Sequence, residues 1–210
     1  MQANISSNKQ KPRELTFIES ARRVQIIETA IEVIADIGYQ NASFAKIAQR
    51  AKLSSTGIIS YHFSSKAELT REVVAEVMRV AEGHVRPRVN AFTTHSDRLR
   101  AFIEANLELT VLYPNHLPAL AQIYSDSREG GDAQRSVATQ MQGIMAFQAE
   151  RMREAQRLGE FREFDAPLMV MVIRSAIDTV VLRKIREPEL DVASCARELV
   201  AIFDLATRKR

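Results

Sequence analysis

Tryptophan is absent from these 210 residues, cysteine occurs once, and glycine and proline are scarce at 7 and 6. Each shortage excludes something. A lone Cys195 cannot close an internal disulfide, so the expected compartment is reducing and cytoplasmic. Few turn-forming residues and no alternating Val/Ile/Thr runs argue against a sheet protein. No stretch approaches the roughly 18 uncharged apolar residues that a membrane span requires. The opening segment, Met1 to Pro12, is polar and does not read as a secretory signal. No glycine-rich phosphate loop is present, and His62, His84, His95 and His116 lack metal-ligand spacing. These shortages leave neither cofactor nor metal to expect, and little to suggest a small helical-bundle enzyme.

What is present is helical. Hydrophobic residues make up 46% of the chain, enough for a real core. After a polar tail (1–13), Thr16 and Glu19 have capping-box spacing, and Val24, Ile27, Ile31, Ile34 and Ala35 follow at helical period until Gly38. A short helix follows, with Phe44, Ile47, Ala48 and Ala51 on one face and Ser43 or Asn41 as its cap. Beyond a turn at Lys52–Ser54, Ile58 and Ile59 anchor a third. Ser65 and Glu68 open a longer helix expected to end before Pro87. Further helices are expected over 97–113, 118–128 (to the Gly130–Gly131 break), 132–158, from Asp165–Pro167 to 186, and 191–207. The fold class is therefore all-α: an N-terminal three-helix helix-turn-helix domain (1–66) and a C-terminal helical bundle (67–210) for ligand binding and dimerisation.

Charge divides along the same line. Residues 1–66 carry nine Lys/Arg against five acids, +4, which leaves −1 for the remainder of a chain whose total is +3. A basic end suits a polyanionic partner. Three short helices with a tight bend before the third can brace across a duplex backbone while polar side chains enter the major groove. Ile47, Ala48, Ala51, Leu53, Ile58 and Ile59 would form the brace. Ser43, Lys52, Ser54, Ser55, Thr56, Gly57, Ser60, Tyr61, His62 and Lys66 are left as the candidate contacts to double-stranded operator DNA.

The run GYQNASFAKIAQRAKLSSTGIISYHFSSKAEL resembles the signature of the TetR family of bacterial transcriptional regulators. Gly38, Ser43, Ile47–Ala48, Ala51, Ser54, Tyr61–His62–Phe63, Lys66 and Leu69 carry the likeness, which covers about residues 22–75. The resemblance implies a dimeric repressor released from a palindromic operator by a small-molecule effector. Two departures stand out. Lys52 occupies the place of a usual turn glycine, which costs ~1 kcal/mol if φ there is positive. One residue more than usual separates Leu53 from Gly57, so the register of the reading helix stays open.

Towards the C-terminus, Leu168–Leu182 is apolar nearly all round, and such a helix needs cover on every side. With Val192–Phe203 it would form a four-helix interface between two copies, a homodimer; an intramolecular core helix is the alternative. A mixed stripe of Phe102, Asn106, Thr110 and Tyr113, joined by Ile123, Tyr124, Met141, Met145 and Arg174, is the candidate effector pocket. The same stripe is also what ordinary core looks like, and a protein partner in place of an effector is a further alternative.

Overall fold

The computed structural model describes residues 16–125 and 132–209. The tail over 1–13 and the Gly130–Gly131 break lie outside them. Among the described residues the order is α1 (Phe17–Ile37), α2 (Phe44–Arg50), α3 (Gly57–His62), α4 (Lys66–Asn90), α5 (His95–Leu112), α6 (His116–Ser125), α7 (Asp132–Arg157), α8 (Ala166–Arg186) and α9 (Val192–Thr207). The chain is all-α, as its composition predicts; one isolated bridge, Phe161 to Arg208, is the only strand-like pairing described.

The helix ends follow local chemistry. Both halves of the expected capping box form: Thr16 N donates to Glu19 Oε2 at 2.8 Å, and Glu19 N to Thr16 Oγ1 at 3.3 Å. Gly38, at φ 82°, ends α1, and its N–H reaches Ile34 O at 3.0 Å. Ser43 caps α2, while Asn41 turns back to the Ile37 carbonyl. Ser65 caps α4 through Glu68 N, but Glu68 reaches past it to the N–H and hydroxyl of Ser64. Asp165 caps α8 as expected, and Gly159 takes φ 74° after α7.

One boundary is corrected. The helix expected to stop before Pro87 runs on to Asn90, with the proline inside it. Proline removes one N–H and crowds the preceding turn, so something must hold the helix together around it. Glu108 on α5 does so, accepting from His84 Nε2 at 3.0 Å and meeting Arg88 Nε at 3.1 Å, one residue on each side of the proline's turn.

Two apolar cores result. The first gathers Ile26, Ile31 and Ile34 of α1, Ile47 and Ala48 of α2, Ile59 of α3, Phe63, and Leu69, Val73 and Val77 of α4. Ala119 and Ile123 of α6 complete it. The second joins Ile103 and Leu107 of α5, Ala149 and Met152 of α7, Val170, Ile173 and Ile177 of α8, and Val192 and Phe203 of α9. Ala81 and Val85, further along α4, pack on this second core. The helix that starts at the expected domain boundary thus belongs to both cores: its first turns complete the head, its later turns join the body.

Candidate nucleic-acid interface

The brace assembles as its residue types require. Ile47, Ala48, Ala51 and Ile59 are buried, and Leu53 and Ile58 are packed against them. Phe63 is the largest wholly buried side chain, and burying a phenyl ring stabilises by about 1.5–3 kcal/mol. Six-residue α3 has little stability of its own and depends on this packing.

The turn before it is held by backbone. Lys52 N reaches Gln49 O at 3.2 Å and Leu53 N reaches Ala48 O at 2.9 Å. Lys52 lies at φ 54°, the one non-glycine residue with positive φ among those described. Its side chain is exposed, as are Ser43, Ser54, Ser55, Thr56, Gly57 and Ser60. Thr56 precedes α3 without capping it, and the hydroxyls of Ser54, Ser55, Thr56 and Ser60 take no partner within the described residues. Gly57 lies close under the turn: a Cβ there would stand 3.3 Å from Ser55 Oγ. A protruding ridge of uncommitted donors and acceptors is the kind of surface that meets base edges or phosphates.

The cations and rings flanking this ridge are tied inward. Tyr61 is 62% exposed, yet its hydroxyl donates to Glu19 Oε1 at 2.7 Å, fastening α3 to the first turn of α1. Lys66 Nζ donates to Tyr39 O at 2.7 Å and lies 4.3 Å from the centre of the Tyr39 ring. Its charge therefore also locks the start of α4 to the end of α1. His62 is half-buried, and burial, with Arg23 and Arg22 adding to it, holds its imidazole below the ordinary value against the opposing pull of Glu19. Arg23 is one of the nine basic residues of this end of the chain. In the fold its guanidinium donates to His62 O at 2.8 Å, meets Glu72 at 3.0 Å and lies 4.3 Å over the Phe63 ring. Those partners are 39 to 49 residues away, beyond any local spacing rule. Lys46, exposed on α2, is a further cation of the head.

The nine candidate pocket residues do not form one cluster. Ile123 and Met141 belong to the head core, whereas Phe102, Tyr113 and Met145 pack on the body core. Tyr124 is 56% exposed. Asn106 and Thr110 are buried and bonded to carbonyls of their own helix, those of Phe102 and Leu107. Arg174 pairs with Asp178 at 2.7 Å, and its Nε is buried with no partner among the described residues. The helical period that grouped these residues reports one face of each helix, and α6 turns that face towards the head. A cleft of about 490 Å³ opens between the two parts, lined by Glu32, Asp36 and Arg50 on one side and Thr110, Val181 and Ile185 on the other.

Among the described residues no group of His, Cys, Asp or Glu is placed to hold a metal ion, and no helix is long and apolar enough to cross a membrane.

Comparison with known proteins places this arrangement. Residues 26–73 match the family model described as bacterial regulatory proteins, tetR family. The chain is 34% identical over 92 residues to the HTH-type transcriptional regulator BetI of Stenotrophomonas maltophilia, covering 43% of this chain and 46% of that one. It is 28% identical over 148 residues to BetI of Cronobacter sakazakii, covering 67% and 73%. The aligned stretch thus spans about half the length of several such relatives. Among solved structures, AibR in complex with isovaleryl coenzyme A and operator DNA superposes with a TM-score of 0.73 at 21% identity, over 86% of this chain and 97% of that one. A Saccharomonospora viridis protein in complex with choline gives 0.77 at 22%, over 91% and 100%. At such identity the likeness is one of fold.

Proposed function

We propose that the chain, whose residues 26–73 match the family model of bacterial regulatory proteins, tetR family, is a homodimeric transcription regulator, and not an enzyme, that represses from a palindromic operator until a small molecule releases it. The observation that carries the reading is the ridge Ser54–Ser60: exposed hydroxyls without partners among the described residues, in the turn before and the first turn of a short helix packed from beneath. In this reading Thr56, Gly57 and Ser60 meet bases, Ser43, Lys52, Ser54 and Ser55 meet backbone or base edges, and Tyr61, His62 and Lys66 lie towards the phosphates. The DNA-binding unit is residues 1–66, at work on chromosomal DNA in the cytoplasm.

Dimerisation rests on a second surface. On α8, Leu168, Met171, Val172, Leu182 and Ile185 are each about half exposed, at 46–50%, and they recur along one stripe. Ile202 and Leu205 of α9 are 54% and 71% exposed. A monomer rarely leaves so much contiguous apolar surface in water. A two-fold pairing of α8 and α9 would cover it and set two reading ridges along one face of the duplex.

For the effector, the reading keeps the candidates on the body helices: Phe102, Tyr113 and Met145 against the second core, with Asn106, Thr110 and Arg174 on α5 and α8. The buried Arg174 Nε–H asks for an acceptor oxygen. Proteins of the same fold have been found with isovaleryl coenzyme A and with choline. So wide a range leaves the effector class to this chain's own pocket.

A titration of the protein against a palindrome from its own promoter region, at several salt concentrations, tests the central claim. Specific binding should weaken steeply with salt, by a slope of about −0.9 per phosphate neutralised. Thr56→Ala or Ser60→Ala should alter base preference by about 1–3 kcal/mol at one position. Binding indifferent to both palindrome and salt defeats the reading.

A further inference from the structure

Arg23 occupies a place that no surface cation needs. It stands on α1, yet among the described residues every partner of its guanidinium belongs to another element: the carbonyl of His62, the last residue of α3; the ring of Phe63, which caps α3; and the carboxylate of Glu72 on α4. Its side chain is only 23% exposed. The three contacts use different features of one planar group, namely its N–H fork, its face and its charge. Phe63 is wholly buried, so the ring is a fixed platform.

From this geometry we infer that Arg23 is a positioning residue for the reading helix, setting the tilt and register of α3 against α1 and α4 without itself touching DNA. The inference rests on the reading of α3 as the recognition element. It has a physical motive in the turn. With Lys52 at φ 54° and three exposed residues before Gly57, the N-terminal end of α3 is anchored by little beyond Ile58 and Ile59. Thr56 supplies no cap bond. The C-terminal end must then fix the helix's direction. Arg23 holds that end through the His62 carbonyl, and the Tyr61–Glu19 bond, one turn earlier on the same face of α1, holds it as well. Since Glu72 shares the guanidinium, a shift of α4 would be passed to α3 through the same group.

Arg23→Lys separates positioning from charge. Lysine keeps the cation and therefore any long-range attraction to DNA, but it cannot fork between a carbonyl and a carboxylate while lying flat on a ring. The full chain, wild type and R23K, is titrated against operator and against scrambled duplex at three salt concentrations, with folding checked by circular dichroism. Operator affinity should fall ~10-fold or more, while scrambled-duplex affinity and the salt slope stay as in wild type. Amide shifts over Gly57–Phe63 should move in free R23K. Glu72→Gln, which leaves the ring and carbonyl contacts in place, should give a smaller loss and covers the case in which R23K does not fold. An unchanged ratio of operator to scrambled affinity in R23K, or in E72Q where that stands in, overturns the inference. So does a scrambled-duplex salt slope shallower by about one in Arg23→Gln, which removes the cation; that result would make Arg23 a phosphate contact. Failure of the recognition reading is seen separately, as wild-type protein that does not distinguish the two duplexes, and the α3 amide shifts then still decide whether Arg23 positions that helix.

Discussion

Head and body leave opposite chemistry unspent. In the head, two cations are drawn inward, Arg23 onto Phe63 and Lys66 onto Tyr39, while the small hydroxyls of the ridge face water without partners among the described residues. In the body, many charges pair along their own helices, such as Arg174 with Asp178 and Arg183 with Glu187, and large apolar side chains are what remain outside. The difference says what each part awaits. Uncommitted donors and acceptors suit a polar, hydrated duplex; an uncovered apolar stripe suits a second copy of itself. Each can be disturbed while the other is watched.

The largest effect should come from the body. Val172→Asp places a carboxylate in the proposed interface twice, once per copy, where desolvation costs several kcal/mol per ion. Sedimentation should show monomers at concentrations where wild type is dimeric. Operator affinity should fall on the order of 100-fold or more, because two half-sites are no longer held together. A V172D protein that stays dimeric moves the interface off α8.

Ile59→Ala reverses the experiment. Ile59 is fully buried under α3, and such a truncation costs about 2–5 kcal/mol. Operator binding should be lost and the head should melt early, while dimerisation persists. If the dimer dissociates as well, the two cores are one cooperative unit, coupled through α4 and α6, and the contrast between regions is weaker than their surfaces suggest.

The regions also differed in how far they could be read from sequence, for a physical reason. The head is governed by short-range rules. Thr16–Glu19, Ser43, Gly38, Ser65 and the Ile47–Ile59 brace act over a few residues, and each sits where its spacing puts it. Pro87 deceived because the side-chain contacts that bracket its turn come from Glu108 on α5. Arg23 stayed hidden for the same reason. The pocket is the extreme case. Helical period marks Ile123 and Phe102 alike as inward, but inward means the head core for one and the body core for the other. That is decided by how helices pack, which no window of sequence reports.

His62 offers a smaller and signed effect. Burial, then Arg23, keeps its imidazole below the ordinary 6.5, so it is neutral at pH 7. Because the folded value is the lower one, the unfolded chain binds more protons, and head stability declines as pH falls below about 6.5. Phosphates brought near would instead raise the value, so binding should take up a proton. Operator affinity is expected to increase ~3- to 10-fold from pH 7.5 to 6.0 while the head stays folded, and His62→Gln should flatten the rise. A rise that survives in H62Q assigns the proton elsewhere.

The smallest effect concerns the turn itself. Lys52 holds φ 54°, where a Cβ is strained by about 1 kcal/mol and glycine is not. Lys52→Gly should relieve that strain, though glycine returns part of it as freedom in the unfolded chain, so a net gain of ~0.5 kcal/mol in head stability is expected. The substitution also removes one exposed cation beside the ridge. If Lys52 meets a phosphate, K52G should bind operator and scrambled duplex more weakly by a similar factor, with a salt slope shallower by about one. If it serves only the turn, both affinities should hold while the melting temperature rises. Either result leaves the base preference set by Thr56 and Ser60 intact. A changed preference would mean that the strained turn, and not the clamp at the far end of α3, governs how the ridge is aimed.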